Sequence, residues 1–116
     1  MSAKIDTVRA VMEAMQRRDI DAFLEHLTED IEYHFHVGSR PLLGKDWVRR
    51  FLNKYDAGNT EVVWTISTFA ENGDKLLVEG LEEYVDESGE AVKHPYMGIF
   101  EFRDGRICGW RDYFQM

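Results

Sequence analysis

The stretch from residue 98 to 114, GIFEFRDGRICGWRDYF, constrains the fold more than any other part of the sequence. It predicts two β-strands joined by a tight turn at Asp104-Gly105, because this dipeptide between strand-forming residues is typical of a hairpin. The second strand carries Asp112 among large aromatic side chains. A carboxylate in that setting is the clearest chemical signal in the sequence, so the fold has to explain what surrounds Asp112.

The order of the predicted elements indicates an α+β fold. Helical periodicity predicts helices over residues 3–18, 21–28 and 45–56, with Ser2 and Asp19 as N-caps of the first two. Alternating or β-branched stretches predict strands over residues 31–37, 61–70, 75–85, 91–102 and 106–115. Three N-terminal helices followed by an antiparallel meander predict a curved, mostly antiparallel sheet with the helices packed on its concave face.

Two helical stripes are predicted to face the core. The stripe of the first helix consists of Ile5, Val8, Val11, Met12 and Met15. Its two methionines could line a pliable ligand cavity, but core packing is the favoured role. The stripe of the third helix consists of Trp47, Val48, Phe51, Leu52 and Tyr55.

Length, charge and cysteine content limit the functional class. The 116 residues predict a single domain over 1–116, and the net charge of −8 argues against nucleic acid or an anionic membrane as a partner. The lone Cys108 excludes an internal disulfide and is expected to be buried and inert. The sequence shows neither a signal peptide nor an apolar run long enough to span a bilayer, so a cytoplasmic location is expected.

Two predicted hairpin registers bring the candidate site residues to one face of the sheet, because directly opposed residues point to the same face. A three-residue turn at 103–105, ending in a glycine bulge, sets one register. The predicted pairs are Glu82–His94, Gly80–Tyr96, Tyr96–Asp112 and Gly98–Trp110. The shared face then carries Glu82, His94, Tyr96, Phe100, Trp110, Asp112 and Phe114. Such a face predicts a small-molecule pocket rather than a solvated surface, since its aromatic rings need cover.

The other face of the same strands suggests a partner. Ile99, Ile107 and Tyr113 lie there among charged residues, which favours a partly buried contact with a second copy of the chain.

A metal site and a cofactor site are both disfavoured. His34 and His36 share one face of the first strand, but no third ligand lies near them in sequence. No phosphate loop, nucleotide fingerprint or haem spacing is present, so no cofactor is predicted.

With these elements assigned, the chain resembles the nuclear transport factor 2-like superfamily of cone-shaped α+β domains. Within it, the likeness is to SnoaL-like proteins, limonene-epoxide hydrolase and ketosteroid isomerase. Three stretches carry the likeness: DIDAFLEHLTEDIEYHF, PLLGKDWVRRFL and GIFEFRDGRICGWRDYF.

The resemblance implies roles for particular residues. Asp112 matches one catalytic aspartate of the epoxide hydrolases, and Tyr33 matches the tyrosine that holds the attacking water. The arginine and second aspartate of that set fall at Gly80 and Glu82, and Phe35 stands in place of the asparagine. Without the arginine, epoxide hydrolysis is disfavoured.

Three functions stay open at this point. The first is an enzyme performing acid/base chemistry on an apolar carbonyl or epoxide-like substrate. In it, Asp112 exchanges the proton, a Glu82–His94 pair assists, and Tyr33 or Tyr96 polarises the substrate oxygen, while Phe35, Phe100, Trp110 and Phe114 line the pocket. The second is a non-catalytic binding domain for a small lipophilic ligand. The third is a dimerisation module without a pocket.

Overall fold

The computed structural model describes residues 3–114, which form an α+β domain. Three helices and six strands follow one another as α1 (Ala3–Gln16), α2 (Ile20–Glu25), β1 (Leu27–His34), β2 (Leu42–Leu43), α3 (Lys45–Gly58), β3 (Thr60–Asn72), β4 (Lys75–Val85), β5 (Ala91–Arg103) and β6 (Arg106–Phe114). The α+β class and the four-stranded meander β3–β6 are as predicted.

The six strands form one curved, mixed sheet in the order β2-β1-β6-β5-β4-β3. All neighbours are antiparallel except β1 and β6, which run parallel, with Tyr33 opposite Trp110. β6 is therefore a central strand between β1 and the meander. The short strand β2 is not predicted, because two residues carry no periodicity.

The predicted boundary between α2 and β1 is wrong. The predicted helix 21–28 ends at Glu25, and the strand predicted over 31–37 begins at Leu27 and ends at His34. Leu27 is fully buried and pairs with Ile107, so tertiary pairing overrides the helical pattern. Asp19 caps α2 as predicted, accepting a hydrogen bond from the backbone N–H of Ala22. The predicted cap Ser2 lies outside the described residues.

Both helical stripes contribute to one hydrophobic core with the sheet. The predicted residues of α1 are all buried, and so are Val48 and Leu52 of α3. Trp47 contradicts the prediction, because it is 55% exposed and its ring lies against the guanidinium of Arg50. Helical spacing alone could not show that α3 presents a narrower face to the core.

The terminal hairpin has a different register from the predicted one. Asp104 and Gly105 both have positive φ angles, 53° and 80°, which makes a two-residue turn flanked by Arg103 and Arg106. An extra residue, Cys108, then forms a bulge in β6. The observed pairs are Gly98–Asp112, Phe100–Trp110 and Tyr96–Phe114, two residues away from the prediction. A shift of two keeps the side chains from Gly109 onward on their predicted face, so the shared face persists.

The bulge changes the side of the sheet on which Ile107 lies. The predicted position of Ile107 is the outer face, but the residue is fully buried in the core because the extra residue reverses the alternation before Gly109. Cys108 is half-buried rather than fully buried, and its partial burial raises the pKa of the thiol. Among residues 3–114, no helix is both long and apolar enough to cross a membrane.

Candidate active site

A cavity of about 310 Å³ lies between the helices and the sheet. The side chains around it come from α1, β1 and the two residues that follow it, α3, and the four strands of the meander. They are Met12, Met15, Tyr33, Phe35, His36, Phe51, Leu52, Tyr55, Trp64, Glu82, Tyr84, His94, Tyr96, Trp110, Asp112 and Phe114. A pocket with mostly aromatic walls and a few ionisable groups is typical of a small-molecule site.

The structure brings eight of the nine sequence-predicted site residues to this cavity. The exception is Phe100, which is fully buried beneath it and packs on Trp110 with ring centroids 4.7 Å apart. Phe100 therefore supports the wall from behind. The β4–β5 register, with Glu82 opposite His94 and Gly80 opposite Tyr96, is as predicted.

Asp112 lies at the buried end of the site. Its side chain is 7% exposed, and Oδ1 accepts a hydrogen bond of 2.8 Å from the indole Nε1–H of Trp110. Burial raises the pKa of the Asp112 carboxyl well above its usual value, the Trp110 hydrogen bond opposes this rise, and the charge of Glu82 adds to it. Oδ2 has no donor among residues 3–114. Asp112 is thus a carboxyl that holds its proton unusually tightly and can still reach a ligand.

Trp110 is held in place by neighbouring aromatic rings. Its ring stacks on Phe23 of α2 at 5.5 Å and contacts Tyr33 of β1 at 4.7 Å. Gly98, directly opposite Asp112, leaves room for the carboxylate, because a Cβ at residue 98 would lie 3.0 Å from Oδ1. The orientation of Asp112 is therefore set by its neighbours.

Glu82 is the second buried carboxyl, 9% exposed, and its partner differs from the predicted one. Oε2 accepts a hydrogen bond of 2.6 Å from the hydroxyl of Tyr55, whereas His94 contacts the hydroxyl of Tyr84. Burial raises the pKa of the Glu82 carboxyl, and Tyr55, His94 and Trp64 oppose the rise. The indole N–H of Trp64 is buried without a well-aligned acceptor, but it lies near enough to lower the pKa of both Glu82 and Tyr55.

His94 lies at the wall of the cavity beside aromatic rings. Its Nε2 is 3.3 Å from the hydroxyl of Tyr84, and its ring contacts Phe114 edge-on with centroids 5.6 Å apart. Glu82 and His94 thus lie opposite each other as predicted, and His94 lowers the pKa of Glu82, while the hydrogen-bond contacts of the two side chains are with Tyr55 and Tyr84 respectively.

Tyr33 is placed where a ligand can reach it. It is buried, and its hydroxyl makes no hydrogen bond within the described part of the chain. Burial raises the pKa of this phenol well above its usual value, and the charges of Asp112 and Glu82 raise it further. The hydroxyl therefore stays protonated and can donate a hydrogen bond.

The two histidines that the sequence predicts on the first strand do not form a common site. His34 is bonded to Glu32 at 2.8 Å, whereas β1 ends before His36, whose ring stacks on Phe114 at the cavity wall. The alternation predicts His36 on the opposite face from Phe35, but both line the cavity because the alternation stops at residue 34. No three His, Cys, Asp or Glu side chains between residues 3 and 114 converge to hold a metal ion.

Position 80 has no room for a side chain. A Cβ on Gly80 would lie 2.0 Å from the backbone oxygen of Thr65 and 3.1 Å from the ring of Tyr96. The cause is a bulge at Ser67, where Ile66 pairs with Gly80 but Thr68 pairs with Glu79. The backbone thus excludes an arginine at this position.

The helical side of the cavity is not predicted as a site. The sequence pattern places Phe51 and Tyr55 in the core and indicates no role for Trp64 or Tyr84. A hydroxyl-bearing Tyr55 within an otherwise apolar stripe is the one available signal. Met12 and Met15, predicted in the core, are buried there and also line the cavity.

Comparison with known proteins decides the family. A family model described as SnoaL-like domain matches residues 8–110. The chain belongs to the SnoaL-like domain family. The resemblance stated from the sequence is thereby confirmed.

Solved structures share the fold of this SnoaL-like domain. An NTF2-like protein of unknown function from Burkholderia pseudomallei is 24% identical, with 99% of this chain and 92% of that chain covered at a TM-score of 0.89. A LEH-like epoxide hydrolase of M. tuberculosis is 27% identical, with 97% and 83% covered at 0.86. SalBIII, an epoxide hydrolase/cyclase-like enzyme with a role in pyran ring formation in salinomycin, is 21% identical, with 96% and 89% covered at 0.86.

Proposed function

We propose that this SnoaL-like domain is an enzyme performing acid/base chemistry, of the isomerase, cyclase or hydrolase type, on an apolar carbonyl or epoxide-like substrate in a cone-shaped pocket. The observation that carries the proposal is Asp112, a buried carboxyl with a raised pKa and one unbonded oxygen at an aromatic-lined cavity. A general acid or base works best when its pKa lies near the working pH, and burial moves this carboxyl in that direction.

The proposed proton transfer needs few groups. In an isomerisation, Asp112 in its ionised form removes a proton from the α-carbon of a β,γ-unsaturated ketone and returns it to the γ-carbon, while the double bond moves into conjugation. In a cyclisation, the enolate carbon bonds to a second carbonyl carbon and the proton goes to the oxygen of that carbonyl. No atom is gained or lost in either case. The negative charge that develops on the carbonyl oxygen needs a donor, and the unbonded hydroxyl of Tyr33 fits that role. Glu82, His94 and Tyr96 complete the polar part of the proposed site.

The residues at hand favour isomerisation or cyclisation over epoxide hydrolysis. The M. tuberculosis relative is a LEH-like epoxide hydrolase, and the resemblance implies an arginine between two carboxylates for that reaction. Here the position is Gly80, whose backbone leaves no space for any side chain. A reaction that uses one carboxyl for both proton removal and return does not need the arginine.

The test compares Asp112→Asn with the wild-type protein on two probes. One is a small β,γ-unsaturated cyclic ketone, whose conjugation is followed by ultraviolet absorbance, and the other is a cyclic terpene epoxide. General acid–base catalysis contributes about 10²–10⁴-fold, so the variant should lose at least about a hundredfold of any turnover. Glu83→Gln, beside Glu82 but on the other face, is the control and should keep full activity. Turnover that is equal in Asp112→Asn and wild type would rule out the assignment.

A binding domain for a small lipophilic ligand is the second candidate. It is favoured by the cavity walls, more than half of which are Phe, Tyr or Trp. Native mass spectrometry of the purified protein would distinguish the two, because a ligand that is retained and released unchanged supports binding without chemistry.

We also propose that the outer face of the sheet contacts a second copy of the chain. Met97 and Tyr113 lie opposite each other there and are 56% and 43% exposed. Light scattering on the protein and on Met97→Asp would test this, and a monomeric wild type would exclude it.

A further inference from the structure

The two buried carboxyls of the cavity have no permanently cationic side chain from residues 3–114 beside them. Asp112 and Glu82 are both buried, and both line the cavity. No lysine or arginine between residues 3 and 114 lines it with them. A buried carboxylate is unfavourable unless its charge is paired, so an ionised form of this pair needs a positive charge from elsewhere.

The hydrogen-bond partners of both carboxyls are neutral. Trp110 donates its indole N–H to Asp112, and Tyr55 donates its hydroxyl to Glu82. These bonds orient the oxygens without balancing their charge. His94 contacts the hydroxyl of Tyr84, and its charge lowers the pKa of Glu82 in opposition to burial. The cavity wall therefore has its acceptors in place together with His36 and His94, but has no lysine or arginine among residues 3–114.

The rest of the wall suits the same kind of group. Aromatic faces attract cations through their quadrupole, and this attraction grows when the site is dry. The rings of Tyr33 and Trp64 lie close to that of Trp110, with centroid distances of 4.7 and 6.3 Å. A neutral hydrocarbon would cover these rings but would leave the negative charge of the ionised carboxyls unbalanced.

We propose that the cavity binds small organic cations, quaternary or protonated amines, with Glu82 and Asp112 balancing the positive charge and the aromatic rings covering the carbon groups. This inference rests on the same cavity as the proposed reaction but concerns binding alone. The cavity of about 310 Å³ has the volume of about ten liquid waters, which limits the ligand to a compact amine. The net charge of −8 also favours the approach of a cation over that of an anion.

The test uses three probes of nearly the same shape and different charge: choline, 3,3-dimethyl-1-butanol and 3,3-dimethylbutanoate. Titration is followed by the fluorescence of Trp64 and Trp110, which line the cavity, and checked by calorimetry. We expect affinity to fall in the order cation, neutral alcohol, anion, with at least a tenfold preference for choline over the alcohol. An alcohol that binds as tightly as choline, or no saturable binding of choline, would overturn the inference.

Charge-removing variants locate the effect. Glu82→Gln and Asp112→Asn keep the shape of the side chains, and each should lower the choline-to-alcohol ratio at least threefold while the alcohol still binds, which shows an intact cavity. Glu83→Gln removes the same charge from the other face and should leave the ratio unchanged. If both cavity variants keep the wild-type ratio, the carboxyls do not recognise the cation and the inference is refuted.

The outcome is separable from that of the proposed reaction. Loss of turnover in Asp112→Asn, together with a choline-to-alcohol ratio that neither cavity variant changes, would refute cation binding and leave the reaction standing. A charge-dependent probe order in a protein that turns over neither ketone nor epoxide would support cation binding and refute the proposed reaction.

Discussion

Replacing Gly80 by alanine tests the close approach of β3 and β4 that shapes the site. The added Cβ would start 2.0 Å from the backbone oxygen of Thr65, so the strands have to separate by about 1 Å to reach a tolerable contact. The obstacle is backbone that is hydrogen-bonded in the sheet, so it cannot rotate away as a flexible side chain can.

The expected cost is about 3 kcal/mol. Overpacking costs about 1–3 kcal/mol, and a backbone clash belongs at the upper end of that range. Weakening one backbone hydrogen bond at the Ile66–Gly80 pair adds about 1 kcal/mol, and the lower entropy of unfolded alanine returns up to about 1 kcal/mol. At roughly 4 °C per kcal/mol for a domain of this size, the melting temperature should fall by about 12 °C.

Urea unfolding followed by circular dichroism measures the change, with Gly58→Ala as the matched control. Gly58 ends α3 without a positive φ, and a methyl group at this position would meet nothing within 4 Å, so alanine there should be neutral or stabilising by up to about 1 kcal/mol. A Gly80→Ala protein within about 0.5 kcal/mol of wild type would refute the steric reasoning. Gly80→Arg should likewise destabilise the domain and should not introduce epoxide hydrolysis.

Three other predictions follow from burial and hydrogen bonding. Because the pKa of Asp112 is raised in the folded state, the wild-type protein loses stability as pH rises from about 4 towards the folded pKa. Asp112→Asn should therefore equal the wild type in stability near pH 4 and exceed it at pH 7, by about 1.4 kcal/mol for each pH unit between the unfolded and folded pKa. Urea unfolding across this pH range measures the difference. Tyr55→Phe removes the donor to Glu82 and should raise the pKa of that carboxyl further, which carbon-13 NMR of labelled glutamate can follow; an unchanged or lower pKa would contradict the bond. Ile107→Ala should cost about 2–5 kcal/mol in thermal unfolding, and clearly more than Ile99→Ala on the outer face, whereas equal costs would contradict the bulge at residue 108.

The side of the site that the sheet forms could be predicted, because the alternation of side chains and the length of the turns indicate which residues pair across neighbouring strands. The β4–β5 pairs follow from a short loop with clear strand ends, so the predicted positions of Glu82 and His94 are correct. In the last hairpin the turn has two residues rather than the predicted three, and the bulge at Cys108 leaves no mark in the pattern. Together these two differences amount to a shift of two residues, which keeps Asp112 and Trp110 on the predicted face but misplaces Ile107.

The helical side could not be predicted, since it depends on how elements distant in sequence meet. Tyr55 bonds to Glu82 across 27 residues, and nothing in the spacing of α3 distinguishes this hydroxyl from a core ring. The same holds for Leu27, which fits a helical pattern but pairs in the sheet with Ile107, far along the chain. Local periodicity indicates which face of a helix or strand is apolar, but it does not show which other element packs against that face.

The parallel pairing of β1 with β6 also bears on when the site forms during folding. The three hairpins of the meander close over short distances, whereas Tyr33 meets Trp110 only when a long loop closes, which is entropically costly and slow. If the meander forms before that step, we expect Glu82 and Asp112 to lie on an open sheet in contact with water, where burial does not raise their pKa. The raised pKa of both carboxyls therefore depends on the cover that β1 and the helices packed on it provide.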